Sequence, residues 1–230
     1  MGEAYLLLDE RNPSSEWGAA GVAAVWAPEN SREALFDAMR SKETYATSGP
    51  RITLRFFAAP AFPEDLLERG DWISDAYELG VPMGGELNAA DTSPIFVVAA
   101  LKDALGTNLD RIHIIKGLID PEGATHEKIY DVALSSNRGL RGSSLAPGAV
   151  GNTVDIADAS YTNAIGSAQL TAQWRDPDYE PSQSAFYYAR VLEIPTPRWS
   201  TYDAKTLGVT APEPSSHQER AVSSAIWAKT

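Results

Sequence analysis

The chain has 230 residues, of which 43% are hydrophobic and 22% charged, a composition typical of a folded protein with a buried core. Its 31 acidic and 19 basic residues give a net charge of −12, and no Lys/Arg cluster offsets this charge, so neither nucleic acid nor an anionic membrane is expected as a partner. Cysteine is absent, which excludes disulfides, thiolate metal sites and cysteine nucleophiles.

No segment has the pattern of a signal peptide or of a membrane span. The N-terminus has only a short leucine run between acidic flanks, unlike the basic start and apolar core of a signal peptide. The longest apolar stretch, Ile95–Leu101, is far too short to cross a bilayer. We therefore expect a soluble protein of the cytoplasm or the periplasm.

The N-terminal part predicts a strand followed by a helix. Gly21–Trp26 is an apolar run typical of a short buried strand, and Pro28 ends it. Asn30 then predicts a helix N-cap, with Glu33 completing a capping box. Three side chains of this helix are predicted to face inward: Leu35, Ala38 and Met39.

From residue 50 onward the sequence predicts short strands. Arg51–Phe57 alternates, with Ile52, Leu54 and Phe56 on one face, whereas residues 60 to 92 are predicted to be irregular apart from a helical turn near residues 64–69. A Gly/Ser-rich loop is predicted at 135–152. Five further strand segments follow the same signals: Ile95–Leu101, Arg111–Ile119, Lys128–Leu134, Ala168–Trp174 and Ser184–Ile194. We predict a mainly β fold with a minor helical part, an antiparallel Ig-like β-sandwich in which Arg111–Ile119 and Lys128–Leu134 form the clearest hairpin.

The histidines and the motif spacings do not indicate a metal site or a catalytic residue. His113, His126 and His217 are isolated, and the sequence has neither a His-x-His pair nor an HExxH helix, so structural or surface roles are favoured. Asp176, Asp178 and Glu180 alternate in a loop that suits calcium, but a solvated turn is favoured because the loop is not of the EF-hand type. Phosphate-binding loops and a GxSxG elbow are absent.

Five residues are candidates for binding a small-molecule substrate. Arg51 follows a Gly-Pro turn, and Arg198 lies between Pro197 and Trp199, so both guanidinium groups are held by stiff backbone and suit a carboxylate, phosphate or sulfate. The alternative is an internal arginine–carboxylate pair that fixes a loop. The remaining candidates are hydroxyl-bearing residues that either line a pocket or satisfy turn amides: Tyr45, Thr47 and Ser48.

Several segments resemble a known family. They are GVAAVWAPENSREALFDAMRSKETYATSGPRITLRFF, GVPMGGEL, LDRIHIIKGLIDPEGATHEKIYDVALSSNR, VGNTVD and YYARVLEIPTPRWSTYDAKTLGV, which together cover most of the chain from Gly21 onward. The sequence resembles the C-terminal part of the bacterial domain-of-unknown-function family DUF3604, whose members look like metallohydrolases of the PHP (polymerase and histidinol phosphatase) class. The last two segments are the most specific to that family.

The resemblance implies a division of the chain and a partner. Residues 1–49 would be the end of a PHP-like hydrolase domain, and residues 50–230 a β-rich sandwich domain. The family's metal centre, built on His-x-His and Asp-x-His motifs, would lie in an upstream domain, and neither motif occurs here. A divalent metal, manganese or zinc, is implied for the longer protein, and this chain is expected to be inactive alone.

Three functional hypotheses follow. The chain is the C-terminal portion of a metal-dependent hydrolase of phosphate or related esters, with Arg51 or Arg198 as a cation that stabilises the reacting group. Alternatively, it is a non-catalytic β-sandwich that binds a ligand or braces a partner domain, which an exposed row of aromatic side chains would favour. A self-sufficient enzyme that uses Asp and Ser residues is the third hypothesis.

Overall fold

The computed structural model describes residues 21–88, 92–120, 122–135 and 150–229. Residues 136–149 of the predicted Gly/Ser-rich loop therefore lie outside the described residues. The helices are α1 (Arg32–Arg40), α2 (Trp72–Leu79) and α3 (Trp199–Leu207), with a 3-10 turn at Leu66–Glu68. The strands are β1 (Val22–Val25), β2 (Thr44–Thr47), β3 (Thr53–Ala59), β4 (Val81–Pro82), β5 (Glu86–Asn88), β6 (Ile95–Leu101), β7 (Leu109–Ile119), β8 (Thr125–Leu134), β9 (Gln169–Arg175), β10 (Ala185–Glu193), β11 (Thr196–Pro197), β12 (Ser216–His217), β13 (Arg220–Ser223) and β14 (Ile226–Lys229).

These strands form two sheets and a short ribbon. In the larger sheet, β10 pairs with β7 on one side, and β8 lies beyond β7. On its other side β10 pairs with β13 and β14, which lie end to end; β2 and β1 continue the sheet from β13, and β5 pairs with β14 in parallel. The smaller sheet has the order β4-β3-β6-β9, and β11 pairs with β12. All these pairings except that of β5 are antiparallel.

The two sheets pack face to face around one main core. Phe56 and Phe96 of the smaller sheet stack with ring centroids 5.8 Å apart, and Phe96 lies 4.4 Å from Tyr187 of the larger sheet. The predicted inward face of β3 is confirmed, since Ile52, Leu54 and Phe56 are fully buried there. With 41% strand and 15% helix, the predicted mainly β, antiparallel sandwich is confirmed.

The predicted hairpin is also confirmed. β7 and β8 pair in register from Arg111 with Leu134 to Ile119 with Thr125. The turn closes through a hydrogen bond from the Asp120 N–H to the Ala124 carbonyl at 2.9 Å. Gly123 has a φ of 87°, a conformation that glycine adopts without a steric penalty.

Two helices lie where the sequence predicted none. α2 covers the outer face of the smaller sheet, where Trp72 and Tyr77 meet Phe57 edge-on. Asp71, a residue type favoured at N-caps, precedes α2 but makes no side-chain cap there, and Arg198, which precedes α3, makes none either. Packing of apolar side chains, rather than capping, stabilises α2.

The N-terminal predictions need three corrections. The N-cap of α1 is Ser31, not Asn30, and its side chain accepts a hydrogen bond from the Ala34 N–H at 3.3 Å. Met39 is 55% exposed, because α1 lies over the end of the larger sheet and only Ala38 is buried. β1 is a partly exposed edge strand rather than a buried one.

The Asp176 loop is not the solvated turn that was favoured. Asp176 is buried and accepts hydrogen bonds from Lys116 Nζ at 2.6 Å and from the Tyr187 hydroxyl at 2.7 Å. Asp178 remains exposed and accepts a hydrogen bond from the Tyr130 hydroxyl at 2.8 Å. The loop is therefore anchored to β7, β8 and β10 by a buried ion pair and two tyrosines.

Candidate functional site around Glu193

A small cavity of about 280 Å³ lies where β10 ends, between the β11–β12 ribbon and α3. The turn before β3 and the turn before β7 close its other sides. Its lining combines acids, a histidine, aromatic rings and prolines: Pro50, Gly106, Thr107, Tyr161, Glu193, Thr196, Pro197, Trp199, Tyr202, His217 and Glu219. We call this space the Glu193 cavity.

Glu193 is the most unusual of these residues. Only 2% of it is exposed, and Oε2 accepts a hydrogen bond from the Thr107 hydroxyl at 2.5 Å. Oε1 is buried and has no hydrogen-bond partner in the structure. The register between β10 and β7 shifts between Leu192 and Glu193, where β7 carries one extra residue, Asp110. A buried carboxyl oxygen without a partner in a cavity is a candidate contact for a ligand.

Burial raises the pKa of Glu193 to about 7 because the charged form loses its hydration. The hydrogen bond from Thr107 opposes this shift, and the nearby carboxylate of Glu219 adds to it. Glu193 is therefore divided between the acid and the carboxylate near neutral pH. Such a group can both give and accept a proton, as general acid–base chemistry requires.

Glu219 faces the same cavity but has charge-stabilising partners. His217 Nε2 lies 2.9 Å from Glu219 Oε1, and the Ser48 hydroxyl donates to Glu219 Oε2. Burial by itself would raise the pKa of Glu219, but the bonds from His217 and Ser48 outweigh burial and lower the pKa. The cavity thus holds one carboxyl that binds a proton near pH 7 and one that stays ionised.

Flat side chains form the rest of the wall. Trp199 and Tyr202 come from the first turn of α3, and Tyr161 comes from the segment that precedes β9. Burial raises the pKa of Tyr202, with a smaller contribution from Tyr161. Pro50 and Pro197 complete the apolar surface. This wall suits the flat face of a ring.

Of the five predicted binding residues, Ser48 reaches this site directly, through its bond to Glu219. Arg51 and Arg198 flank the cavity in sequence, since Pro50, Pro197 and Trp199 line it. The Arg51 side chain is exposed, and its backbone N–H donates to Asp103 Oδ2 at 2.7 Å. Arg198 is buried at the start of α3. Substrate binding by these arginines stays a prediction.

The other two predicted residues serve β2. Tyr45 packs against the main core beside Trp26, with ring centroids 6.2 Å apart, and burial raises its pKa. Thr47 is buried, and its hydroxyl accepts a hydrogen bond from the Gly49 N–H at 3.2 Å. Their hydroxyl groups do not line the Glu193 cavity.

Sequence reasoning missed Glu193 and Glu219 and did not foresee the pairing of His217. Glu193 ends a strand with alternating burial, so its pattern resembles that of an ordinary strand end. Its partner Thr107 is 86 positions away, and no sequence spacing indicates such a contact. The available signal was the stiff Pro-x-Pro segment directly after Glu193, which brings Trp199 to the cavity.

The described residues contain no group of three or more His, Asp or Glu side chains placed to hold a metal ion. The histidines of this part of the chain each lie against an acid: His113 against Asp131, His126 against Asp120 and His217 against Glu219. Arg190 additionally donates to His113 Nδ1 at 3.0 Å. The helices of the described ranges are all too short or too polar to cross a membrane.

Comparison with known proteins identifies a family. The family described as "Protein of unknown function (DUF3604)" matches residues 6–230. No curated protein and no solved structure matches the chain. Because the match covers nearly the whole sequence, this protein belongs to the DUF3604 family.

Proposed function

We propose that this chain is the C-terminal part of a metal-dependent hydrolase that cleaves phosphate or related ester bonds, and that the Glu193 cavity supplies a proton to its substrate. The proposal depends above all on Glu193, which lines the cavity and whose buried Oε1 has no hydrogen-bond partner. The resemblance to PHP-type proteins supports the reaction class. The segment with Glu193, Trp199 and Tyr202 is one of the two most specific to the family in that resemblance.

The manganese or zinc ion implied by the resemblance does not fit the described residues of this chain, which offer no suitable ligand set. We therefore assign metal binding to an upstream domain, the proposed partner, and derive no step through the metal. The role of this chain is to bind part of the small-molecule substrate and to donate a proton to it.

Glu193 is suited to act as the general acid. As the bond between phosphorus and the ester oxygen breaks, the departing oxygen takes the proton of Glu193, and an alcohol leaves. Water supplies the oxygen of the new phosphate and a proton that restores the acid form of Glu193. Glu219 stays ionised beside it and helps to keep the proton on Glu193.

The test compares esters with poor and good leaving groups. Hydrolysis would be measured with manganese or zinc from pH 5 to 9, using this chain alone and this chain joined to its upstream sequence. We expect turnover only by the longer protein. Glu193→Gln should lower kcat about 10²-fold for alkyl esters and much less for nitrophenyl esters, because an alkoxide needs the proton more. It should also abolish the decline of wild-type activity above pH 7.

Lys229→Gln serves as the control variant. Lys229 forms an exposed pair with Glu86, and its strand β14 pairs with the end of β10 opposite Glu193. Turnover by the isolated chain at the rate of the longer protein would contradict the assignment of metal binding to the upstream domain. Equal losses for alkyl and nitrophenyl esters would contradict the role of Glu193 as general acid.

A second function, ligand binding without catalysis, is favoured by one observation. Phe186 of β10 lies 5.1 Å from Trp227 and 6.4 Å from Tyr188 between ring centroids, which makes a row of aromatic rings on the outer face of the larger sheet. A Cβ on Gly117 would come within 2.1 Å of Phe186 Cζ, so glycine is needed beneath this ring. Ligand binding that is lost in Trp227→Ala and retained in Glu193→Gln would support this second function.

A further inference from the structure

We infer that the Glu193 cavity binds one uncharged polyhydroxylated ring, a monosaccharide or a cyclic polyol. The inference rests on the proposed function in one respect only: it identifies this ring with the alcohol that leaves when the ester is cleaved. The binding itself follows from the charge, the hydrogen-bonding groups and the shape of the cavity.

The charges in the cavity disfavour an anion. Its ionisable lining residues are two acids, a histidine and two tyrosines, and the described lining includes no lysine or arginine. The Nζ of Lys102, the cation that acts on Glu193, is held by the carbonyls of Asp103 and Gly106, both at 2.9 Å. A phosphate here would face the ionised Glu219 without a lysine or arginine among the lining residues. The phosphoryl part of the substrate is therefore expected outside the cavity.

The hydrogen-bonding groups match hydroxyls. Glu193 Oε1 can donate when protonated and accept when ionised, and a hydroxyl likewise does both. The Glu219 oxygens already accept from Ser48 and lie against His217, whereas Glu193 Oε1 has no hydrogen-bond partner. An ammonium group could only donate, and it would have to give up its hydration in a small space.

The walls match a ring. Trp199 and Tyr202 contribute aromatic side chains to the lining, and Pro50 and Pro197 add apolar surface. A saccharide has apolar C–H faces and hydroxyl groups at its edge, so it can pack on these side chains while a hydroxyl reaches Glu193. The volume of about 280 Å³ lies at the small end of ligand pockets and holds one ring rather than a chain of rings.

The experiment measures binding to the chain by saturation-transfer NMR and calorimetry. The probes are a panel of neutral hexoses, pentoses and inositols, together with glucosamine and inorganic phosphate. At least one neutral member should bind 10-fold or more tightly than either charged probe. Tyr202→Ala and Glu193→Leu should each weaken that binding at least 10-fold, because leucine can neither donate nor accept a hydrogen bond.

Phe36→Ala is the matched control, because Phe36 is an exposed aromatic residue of α1 that lines neither the Glu193 cavity nor the outer aromatic row. This variant should leave binding unchanged, and thermal melting checks that Tyr202→Ala remains folded. No binding by any neutral probe, or tighter binding of a charged one, would overturn the inference. Loss of binding in Trp227→Ala alone would move the site to the outer row and overturn it too. Ring binding without ester hydrolysis would instead count against the proposed function alone.

Discussion

Glu193 and Glu219 lie in one cavity, yet their surroundings move their pKa values in opposite directions. Glu193 is buried with a single neutral hydroxyl as donor, so its pKa rises to about 7. Glu219 has an imidazole and a hydroxyl, and its pKa falls. Carboxyl groups separated in this way can take the roles of acid and fixed charge at one pH.

The raised pKa of Glu193 predicts how stability depends on pH. A carboxyl whose pKa is higher in the folded state than its ordinary value of 4.5 stabilises the fold below pH 4.5, and this contribution is lost as pH rises through 7. The loss amounts to about 3 kcal/mol. Glu193→Gln has no such proton to lose. Between pH 5 and 8 its free energy of unfolding should therefore fall by about 3 kcal/mol less than that of the wild type.

Urea unfolding at several pH values would measure this difference, and Glu180→Gln, which removes an exposed acid, controls for the change in net charge. Parallel stability profiles for wild type and Glu193→Gln would show that the carboxyl of Glu193 is ionised throughout this range.

At the scale of elements, the loop between β9 and β10 is held by a charge pair inside the sandwich. Lys116 is one of the largest fully buried side chains, and its Nζ donates to Asp176 and to the Asp178 carbonyl at 2.7 Å. Burying these two charges costs hydration, and their mutual attraction offsets that cost only while both are present.

Lys116→Met should therefore destabilise the fold by about 3–5 kcal/mol, because it leaves the carboxylate of Asp176 buried without its cation. Chemical denaturation would measure the loss. Adding Asp176→Asn should recover part of it, since no buried charge then remains. Lys229→Met, which breaks an exposed pair, should have a much smaller effect. A Lys116→Met protein as stable as the control would refute this account of the loop.

The sequence predicted the strands better than the site because strand signals are local. Alternation in Arg51–Phe57 and the turn at Gly123 are visible over a few residues, and both predict their structures correctly. α3 follows Arg198, which is not a typical N-cap residue, whereas α2 follows Asp71, an N-cap signal that the prediction of an irregular segment overlooked. The contacts of Glu193 with Thr107, and of Ser48 with Glu219, join distant parts of the chain and depend on strand pairing that no local pattern encodes.

For the whole molecule, the N-terminal strands are part of the larger sheet. β2 pairs with β13, and Trp26, directly after β1, donates from Nε1 to the Leu54 carbonyl at 2.9 Å. The Arg55 guanidinium lies 3.3 Å from the centroid of the Trp26 ring. The predicted boundary between residues 49 and 50 falls where the chain passes from the larger sheet to the smaller one, and it stays a prediction.

This pairing predicts the behaviour of fragments. A chain of residues 50–229 should be markedly less stable than one of 21–229, because it loses the strand that covers β13 and the indole that packs on the core. Thermal melting and amide hydrogen exchange at β13 would measure the difference. Equal melting temperatures and equal protection of β13 would instead support an independent domain that begins at residue 50.

The position of β13 between β2 and β10 also has a consequence for folding. Ser48 and Arg220, which exchange backbone and side-chain hydrogen bonds at this seam, are 172 positions apart. Contacts at such separations form slowly because a long loop has to close first. During synthesis, one edge of β2 stays unpaired until β13 has left the ribosome, and until then that edge can pair with a wrong strand of another nascent copy.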